Sequence, residues 1–170
     1  MRCFLAAWPT DDTRAAVYRL IVVLKDRVPH ARAMQARNLH LTLAFIGDLE
    51  DAHARALAIS CADLADVTCD WTIDRIGSFP RARVAWAGGP VDEPLADCVA
   101  RARRRLDELG IAYDHRPFVP HVTLFRDVRR VEGAGALEAP LRWETDHVAL
   151  YAAARDRNGP IYRRVAAGNG

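Results

Sequence analysis

The sequence contains one four-residue pattern twice, as HLTL at residues 40–43 and as HVTL at residues 121–124, each inside an apolar stretch. Aliphatic stretches with this alternation predict β-strands, whose successive side chains point to opposite faces. In each copy the histidine and the threonine therefore share one face, while the aliphatic residues point to the other. Composition alone predicts about 0.24 occurrences of His-x-Thr in the chain, so two copies with aliphatic flanks indicate a paired functional feature.

Two such strands facing each other would gather four polar side chains around one small anionic group: His40, Thr42, His121 and Thr123. Histidine gives or takes a proton near neutral pH, so one ring can accept a proton from water while the other donates to a leaving alkoxide. Threonine hydroxyls can donate to the non-bridging oxygens of a phosphate. Neither motif contains a serine or cysteine nucleophile or adjoins an acidic cluster suited to magnesium, so direct, metal-independent attack by water is expected.

Four other residues are weighed for a place in such a site. Arg126 lies five residues after His121, so in an unbroken strand it would point away from that histidine, unless a bulge or the strand end turned it inward. It is a candidate phosphate ligand, with a surface arginine as an equal alternative. Phe118 is a candidate for stacking on a nucleobase, with core packing as the alternative. His115 is a further candidate for substrate contact, whereas His147 lies in a predicted strand and is interpreted as structural.

Composition is that of an ordinary globular protein: 51% of the 170 residues are hydrophobic, 27% are charged and the net charge is +2. This balance lacks the strong positive field typical of many nucleic-acid binders. Lys25 is the sole lysine among the 24 basic residues. Arginine favours bidentate phosphate contacts, although codon bias explains most of this preference more simply. With no signal-peptide pattern and no membrane-spanning run, we expect a cytoplasmic protein, and nothing in the sequence demands more than a monomer.

The four cysteines are Cys3, Cys61, Cys69 and Cys98. Their spacing is typical neither of a zinc site nor of a disulfide framework. We therefore expect four reduced, buried thiols.

Apolar periodicity and turn residues predict helices over residues 11–27, 51–65 and 92–109. They predict strands over residues 2–8, 39–46, 67–76, 83–87, 122–126, 143–153 and 161–165, with a Gly/Ala-rich loop over 132–140 and a turn at 158–159. The two motifs lie about half a chain length apart, each after a long helix. We therefore expect an α+β protein with a bilobal, duplicated fold: a single domain over residues 1–170, made of two pseudo-symmetric lobes that meet at a groove.

Extended blocks around both motifs resemble the two-histidine phosphoesterase superfamily, and within it the RNA 2′,3′-cyclic phosphodiesterases, also called 2′-5′ RNA ligase-like or LigT-like proteins. The similarity covers RCFLA at 2–6, NLHLTLAFIG at 38–47, PFVPHVTLFR at 117–126, LY at 150–151 and GPIY at 159–162. It implies two antiparallel sheets flanked by helices, with both motifs lining a central groove. It also implies hydrolysis of a terminal RNA 2′,3′-cyclic phosphate to a 2′-phosphomonoester. Phe125 departs from the alanine common in relatives.

The resemblance also implies a role for each site residue. His40 would be the proton donor to the departing 3′ oxygen, and His121 the proton acceptor that activates water. Thr42, Thr123 and Arg126 would bind the phosphate. The substrates would be RNA ends or nucleotides that carry a cyclic phosphate, with no metal or other cofactor. The residues by themselves permit the reverse assignment of the two histidines.

Other functions remain open at the level of the sequence. One is a phosphodiesterase for small cyclic phosphates, such as an ADP-ribose cyclic phosphate or a cyclic nucleotide. Another is a non-catalytic module that binds RNA ends, although two proton-transfer groups exceed what binding requires. A metallohydrolase is disfavoured because neither motif supplies a third metal ligand.

Hydrolysis of an oligoribonucleotide 2′,3′-cyclic phosphate should proceed at the same rate with and without EDTA, because imidazoles and hydroxyls supply the chemistry. The measurement compares initial rates before and after dialysis against the chelator. A complete loss of activity that added metal restores would contradict the metal-independent mechanism.

Overall fold

The computed structural model describes residues 1–129, 131, 134–157 and 159–166. The helices are α1 (Asp11–Leu24), α2 (Asp51–Ser60) and α3 (Glu93–Glu108), with short 3-10 helices at Lys25–Arg27, Ala36–Asn38 and Ala62–Leu64. None of these helices is long and apolar enough to cross a membrane. The strands are β1 (Arg2–Pro9), β2 (Arg32–Ala33), β3 (Leu41–Asp48), β4 (Trp71–Phe79), β5 (Val84–Gly88), β6 (His121–Arg126), β7 (Gly135–Trp143), β8 (Thr145–Asp156) and β9 (Gly159–Arg164).

The strands of the described residues form one antiparallel sheet with the order β7-β4-β5-β6-β3-β1-β8-β9, and β2 pairs with β6. Each half of this order contains one of the two motif strands. The halves join where β3 and β6 pair, at Leu41 and Val122. The expected α+β class with antiparallel strands is confirmed, and the two expected sheets are continuous through this one pair.

Helices α1 and α3 both begin at a side-chain cap. The hydroxyl of Thr10 accepts a hydrogen bond from the backbone N–H of Thr13, and the carboxylate of Asp92 accepts one from Leu95. Each cap satisfies an N–H group that the first helical turn leaves without a partner. Pro94 is tolerated in the first turn of α3 for the same reason, since no intrahelical bond is lost there.

The two faces of the sheet pack differently. On one face, apolar side chains of the strands and helices form the main core, which includes Leu5, Leu41, Leu43, Val122 and Leu124 from strands and Val17, Leu57 and Leu106 from helices. The opposite face carries a smaller aromatic cluster, formed by Phe4, Ala6, Trp8, Ala149 and Tyr151, with Tyr162 packed against it. Burial of one large aliphatic side chain contributes roughly 1.5–3 kcal/mol, so the main core supplies most of the apolar stabilisation.

The loop expected over residues 132–140 is wrong for residues 135–140, which belong to β7. This edge strand pairs with β4 through backbone hydrogen bonds, and most of its side chains are exposed. The glycine, alanines and proline of this strand have low strand propensity. Backbone pairing with β4, rather than side-chain packing, therefore holds the strand in place. Glu132 and Gly133 of the expected loop, and Asn158 of the expected turn, lie outside the described residues.

The expectation of four reduced thiols is wrong for Cys69 and Cys98, which form a disulfide with a Cα–Cα distance of 5.9 Å. The bond links the segment before β4 to α3. Cys3 and Cys61 are free and buried, as expected. Pairing depends on tertiary proximity, and a sequence separation of 29 residues gives no sign of it.

Replacing Cys69 and Cys98 together by alanine should lower the free energy of unfolding by about 3–4 kcal/mol, since the disulfide closes a loop with a sequence separation of 29. Urea unfolding of both proteins, with and without reductant, measures the effect. Reductant should bring the wild-type protein down to the level of the variant and leave the variant unchanged. Equal stability of the oxidised and reduced wild type would overturn this expectation.

Candidate active site

The two motifs lie side by side because β3 and β6 pair at Leu41 and Val122. His40 and Thr42 flank Leu41 in the sequence, and His121 and Thr123 flank Val122 in the same way. Leu41 and Val122 point into the main core, so the four polar side chains share the opposite face. The charge of His121 acts on His40, so the two imidazoles lie near each other on this face.

The four motif side chains combine partial burial with free polar groups. His40, Thr42, His121 and Thr123 are all half-buried. Neither threonine hydroxyl is committed to a hydrogen bond within the described part of the chain. Both hydroxyls can therefore serve as donors to a bound anion.

Both imidazoles are oriented in the same way. Nδ1 of His40 lies 2.7 Å from the backbone carbonyl oxygen of Asn38, and Nδ1 of His121 lies 2.7 Å from that of Val119. A carbonyl oxygen only accepts, so each Nδ1 carries the hydrogen and donates it. The neutral ring then keeps its lone pair on Nε2, which is the atom that can accept or return a proton.

Aromatic side chains enclose His40 on several sides. Trp8 stacks on the imidazole with ring centroids 5.3 Å apart and an interplanar angle of 7°. Phe4 lies 4.9 Å away in a tilted arrangement, and Tyr162 meets the ring edge-on at 5.0 Å. These contacts restrict the imidazole plane and remove water from it.

A second aromatic pair lies beside His121. Phe79 meets the imidazole edge-on at 4.9 Å, and the centroid of Trp86 lies 6.3 Å away. Trp86 rests against two glycines: a Cβ added to Gly77 would lie 2.3 Å from its ring, and one added to Gly88 would lie 2.7 Å from it. The missing side chains at these two positions make the placement of Trp86 beside the site possible.

A bulge on β6 turns Arg126 towards the site. Thr123 and Phe125 pair with consecutive residues of β5, so Leu124 is an extra residue on β6. Leu124 and Phe125 both enter the main core, and the alternation shifts by one position after them. Arg126 therefore lies on the same face as His121.

β3 carries the same irregularity after its own motif. Ala44 and Thr42 pair with consecutive residues of β1, which leaves Leu43 extra. The residue that then changes face is Phe45, which is 38% exposed and has the guanidinium of Arg2 above its ring at 5.1 Å. The two bulges are equivalent in position, but one presents a cation and the other an aromatic ring.

The surroundings lower the pKa of both imidazoles. Burial is the largest cause for His40 and brings its pKa to about 4; the hydrogen bond to Asn38 opposes this effect, and the positive charges of Arg126 and His121 add to it. Burial also lowers the pKa of His121, opposed by its bond to Val119 and helped by Arg126. Because Arg126 acts on both rings, these three side chains are electrostatically coupled. Both histidines are neutral at pH 7 in the protein alone.

Among the residues that the structure describes, the remaining sequence candidates make no ring contact with His40 or His121. Phe118 is partly buried against the main core, so base stacking by Phe118 stays a prediction. His115 is exposed and contacts Tyr113 at 4.2 Å. His147 is hydrogen-bonded through Nε2 to the hydroxyl of Tyr151 at 2.6 Å. Among the described residues, no group of three or more His, Cys, Asp or Glu side chains is arranged to hold a metal ion.

The side chains that surround the two histidines were not predicted from the sequence; they are Phe4, Trp8, Phe79, Trp86 and Tyr162. Their positions depend on which strands become neighbours, which local patterns do not reveal. Asn38 was part of the block that carried the family resemblance, but nothing in the sequence showed that its carbonyl orients His40. The glycines on either side of Trp86 offered the one local signal, since glycine within a strand marks close approach of another group.

The known proteins that this chain resembles are phosphoesterases. A family model described as LigT like phosphoesterase matches residues 8–86 and 89–162. A protein of Aeropyrum pernix named RNA 2′,3′-cyclic phosphodiesterase is 27% identical over 162 residues, which cover 84% of this chain and 90% of the relative. An Escherichia coli protein of the same name is 34% identical over 99 residues, which cover 56% of this chain and only 55% of that relative. The crystal structure of E. coli LigT complexed with 3′-AMP has a TM-score of 0.81 at 26% identity, over 97% of this chain and 95% of that chain.

Paired His-x-Thr motifs on adjacent antiparallel strands, together with this match, define a two-histidine phosphoesterase. The chain belongs to the LigT-like phosphoesterase family, and it is therefore a hydrolase of phosphoester bonds.

Replacing Arg126 by glutamine should raise the pKa of both His40 and His121, because the positive charge that disfavours each imidazolium is removed. NMR titration of the imidazole ring protons measures both values in one experiment. Arg75→Gln is the control, since Arg75 is exposed and paired with Asp74. Unchanged titration curves in R126Q would show that Arg126 does not act on the two rings.

Proposed function

We propose that this protein hydrolyses the 2′,3′-cyclic phosphate at RNA ends to a 2′-phosphomonoester, with His40 and His121 as the acid/base pair. The observation that carries the proposal is the pairing of β3 and β6, which puts both imidazoles and both threonine hydroxyls on one face. The names of the relatives from A. pernix and E. coli support the choice of an RNA cyclic phosphate as the substrate.

In the proposed reaction, Nε2 of neutral His121 takes a proton from water as the water oxygen attacks phosphorus. The bond between phosphorus and the 3′ oxygen breaks, and His40 gives a proton to that oxygen. Thr42, Thr123 and Arg126 donate to the non-bridging oxygens, where negative charge grows in the transition state. The products are a 3′-hydroxyl and a 2′-phosphate, and the two histidines have exchanged protonation states.

The donor role of His40 requires a protonated ring, whereas burial holds its pKa at about 4 in the protein alone. An anionic phosphodiester beside the ring stabilises the imidazolium and raises this pKa. The assignment of His40 as donor follows the family resemblance. In the protein without substrate the low pKa of His40 suits a proton acceptor, so its donor role depends on this stabilisation by the substrate.

A substrate with a sulfur atom in place of the 3′ bridging oxygen should separate the two roles, because a thiolate leaves without protonation. With the ordinary cyclic phosphate, His40→Ala and His121→Ala should each lose about two to four orders of magnitude in kcat. With the sulfur substrate, H40A should recover most of that loss and H121A should not. Phosphorus NMR follows both reactions and identifies the product isomer.

Recovery of H121A instead would exchange the two roles while leaving the pairing intact. Near wild-type turnover of either variant on the ordinary substrate would remove that histidine from the mechanism. A 3′-phosphate product would mean that the leaving oxygen is the 2′ oxygen.

A small nucleotide bearing a cyclic phosphate is the second candidate substrate. E. coli LigT has been crystallised with 3′-AMP and with NADP+, ligands of one or two nucleotides, which favours a site of that size. Comparing kcat/KM for a cyclic mononucleotide with that for an oligoribonucleotide ending in the same group decides between them. A much larger value for the mononucleotide would favour the second candidate.

We also propose that residues 1–170 form a single domain of two lobes that arose by duplication. Each motif strand has an extra residue directly after the threonine, at Leu43 in β3 and at Leu124 in β6. In each motif strand, the threonine and the residue two positions later pair with two consecutive residues of the neighbouring strand, which is β1 for β3 and β5 for β6. This repeated local geometry supports a common origin for the two halves.

A further inference from the structure

Asn38 makes one hydrogen bond through its side chain and another through its backbone carbonyl, and the two bonds join it to different parts of the molecule. It is 3% exposed, and within the described part of the chain Thr13 is the one other buried polar or charged residue. Its side-chain nitrogen donates a 2.7 Å hydrogen bond to the carbonyl oxygen of Pro160, 122 residues further along the chain. Its own backbone carbonyl accepts the 2.7 Å hydrogen bond from Nδ1 of His40. One residue therefore connects His40 to the start of β9.

Two further contacts join the same parts of the molecule. The guanidinium of Arg37 lies 3.4 Å from the carboxylate of Asp156 at the end of β8. Tyr162 on β9 meets the His40 ring edge-on at 5.0 Å. The segment from Arg37 to His40 is thus held against the β8–β9 hairpin at three points. The Asn38 bond is the buried one of the two polar contacts, so it is less screened by water than the half-exposed ion pair.

We propose that Asn38 is a positioning residue, which uses its bond to the β8–β9 hairpin to fix the orientation and the tautomer of His40. A buried amide without its partner is costly, so the Asn38 backbone stays where the bond to Pro160 can form. That backbone includes the carbonyl that holds the hydrogen on Nδ1 of His40. The consequence for catalysis rests on the proposed function, whereas the consequence for the His40 ring does not.

His121 has the same hydrogen bond from Nδ1 to a backbone carbonyl, but the residue that supplies this carbonyl has no side-chain hydrogen bond like that of Asn38. The carbonyl of Val119 accepts from Nδ1 of His121 at 2.7 Å, as that of Asn38 does for His40. The side chain of Val119, however, is 45% exposed and apolar. Pro117 and Pro120 restrict the backbone around it instead. Val119→Ala is therefore the matched control for a substitution at Asn38.

The test compares Asn38→Ala and Asn38→Asp with V119A. N38D keeps the size of the side chain, but its carboxylate, when ionised at the alkaline pH used for these assays, cannot donate to the Pro160 carbonyl. In both Asn38 variants kcat on an RNA 2′,3′-cyclic phosphate should fall on the order of tenfold to hundredfold, with KM changed by less than about twofold. Nitrogen NMR should show a loss of the Nδ1–H tautomer at His40 and no change at His121. V119A should leave the Nδ1–H tautomer unchanged at both histidines, because the substitution keeps the Val119 carbonyl.

Thermal unfolding establishes that each variant is folded, and N38D carries the test if N38A does not fold. A wild-type kcat together with an unchanged His40 tautomer in N38D would refute the proposal. Equal changes at His40 and His121 would also refute it, because they would indicate general loosening. If the wild-type protein does not hydrolyse cyclic phosphates, the proposed function fails, and the tautomer of His40 still decides the role of Asn38.

Discussion

Alternation of side chains across two antiparallel strands, pinned where Leu41 meets Val122, determines the positions of all four motif side chains. Both pinning residues are fully buried in the main core. A slip of either strand by one residue would expose its aliphatic residues and push its histidine and threonine into that core. The packing that stabilises the fold thus also sets the register of the site. The two imidazoles share one face of the sheet because Leu41 and Val122, the aliphatic residues between each histidine and threonine, are buried in the core on the other face.

Two nearly equivalent strands produce two unequal histidines. Both rings donate through Nδ1 to a carbonyl two residues earlier, and both strands bulge after the threonine. The difference comes from neighbouring strands, which place three aromatic rings around His40 and two beside His121. Greater enclosure explains why the pKa of His40 falls to about 4. The difference in proton affinity between the two rings therefore arises outside the motifs.

Sequence-based prediction worked best where a single repeat of apolar residues, of strand or helix type, ran through a whole element. Alternation predicted the faces of both motifs, and apolar spacing with turn residues predicted α1 and α3. It failed where backbone pairing outweighed side-chain preference, as in β7, and where two distant residues had to meet, as in Cys69 and Cys98. Arg126 shows the boundary between these cases: its distance from His121 indicated that a bulge was needed, but only the pairing with β5 revealed the extra residue. The aromatic residues around the site could not be predicted either, because they lie on strands that are far apart in the chain and meet only in the folded sheet.

The disulfide has a consequence for how the molecule responds to proteolysis. It closes the chain between Cys69 and Cys98 into a covalent ring that contains β4 and β5, the strands that carry Phe79 and Trp86. A single peptide-bond cleavage inside that ring leaves both fragments joined through sulfur. The wall beside His121 would then stay tethered to α3 in the nicked protein, whereas the segments around His40 have no comparable covalent link among the described residues.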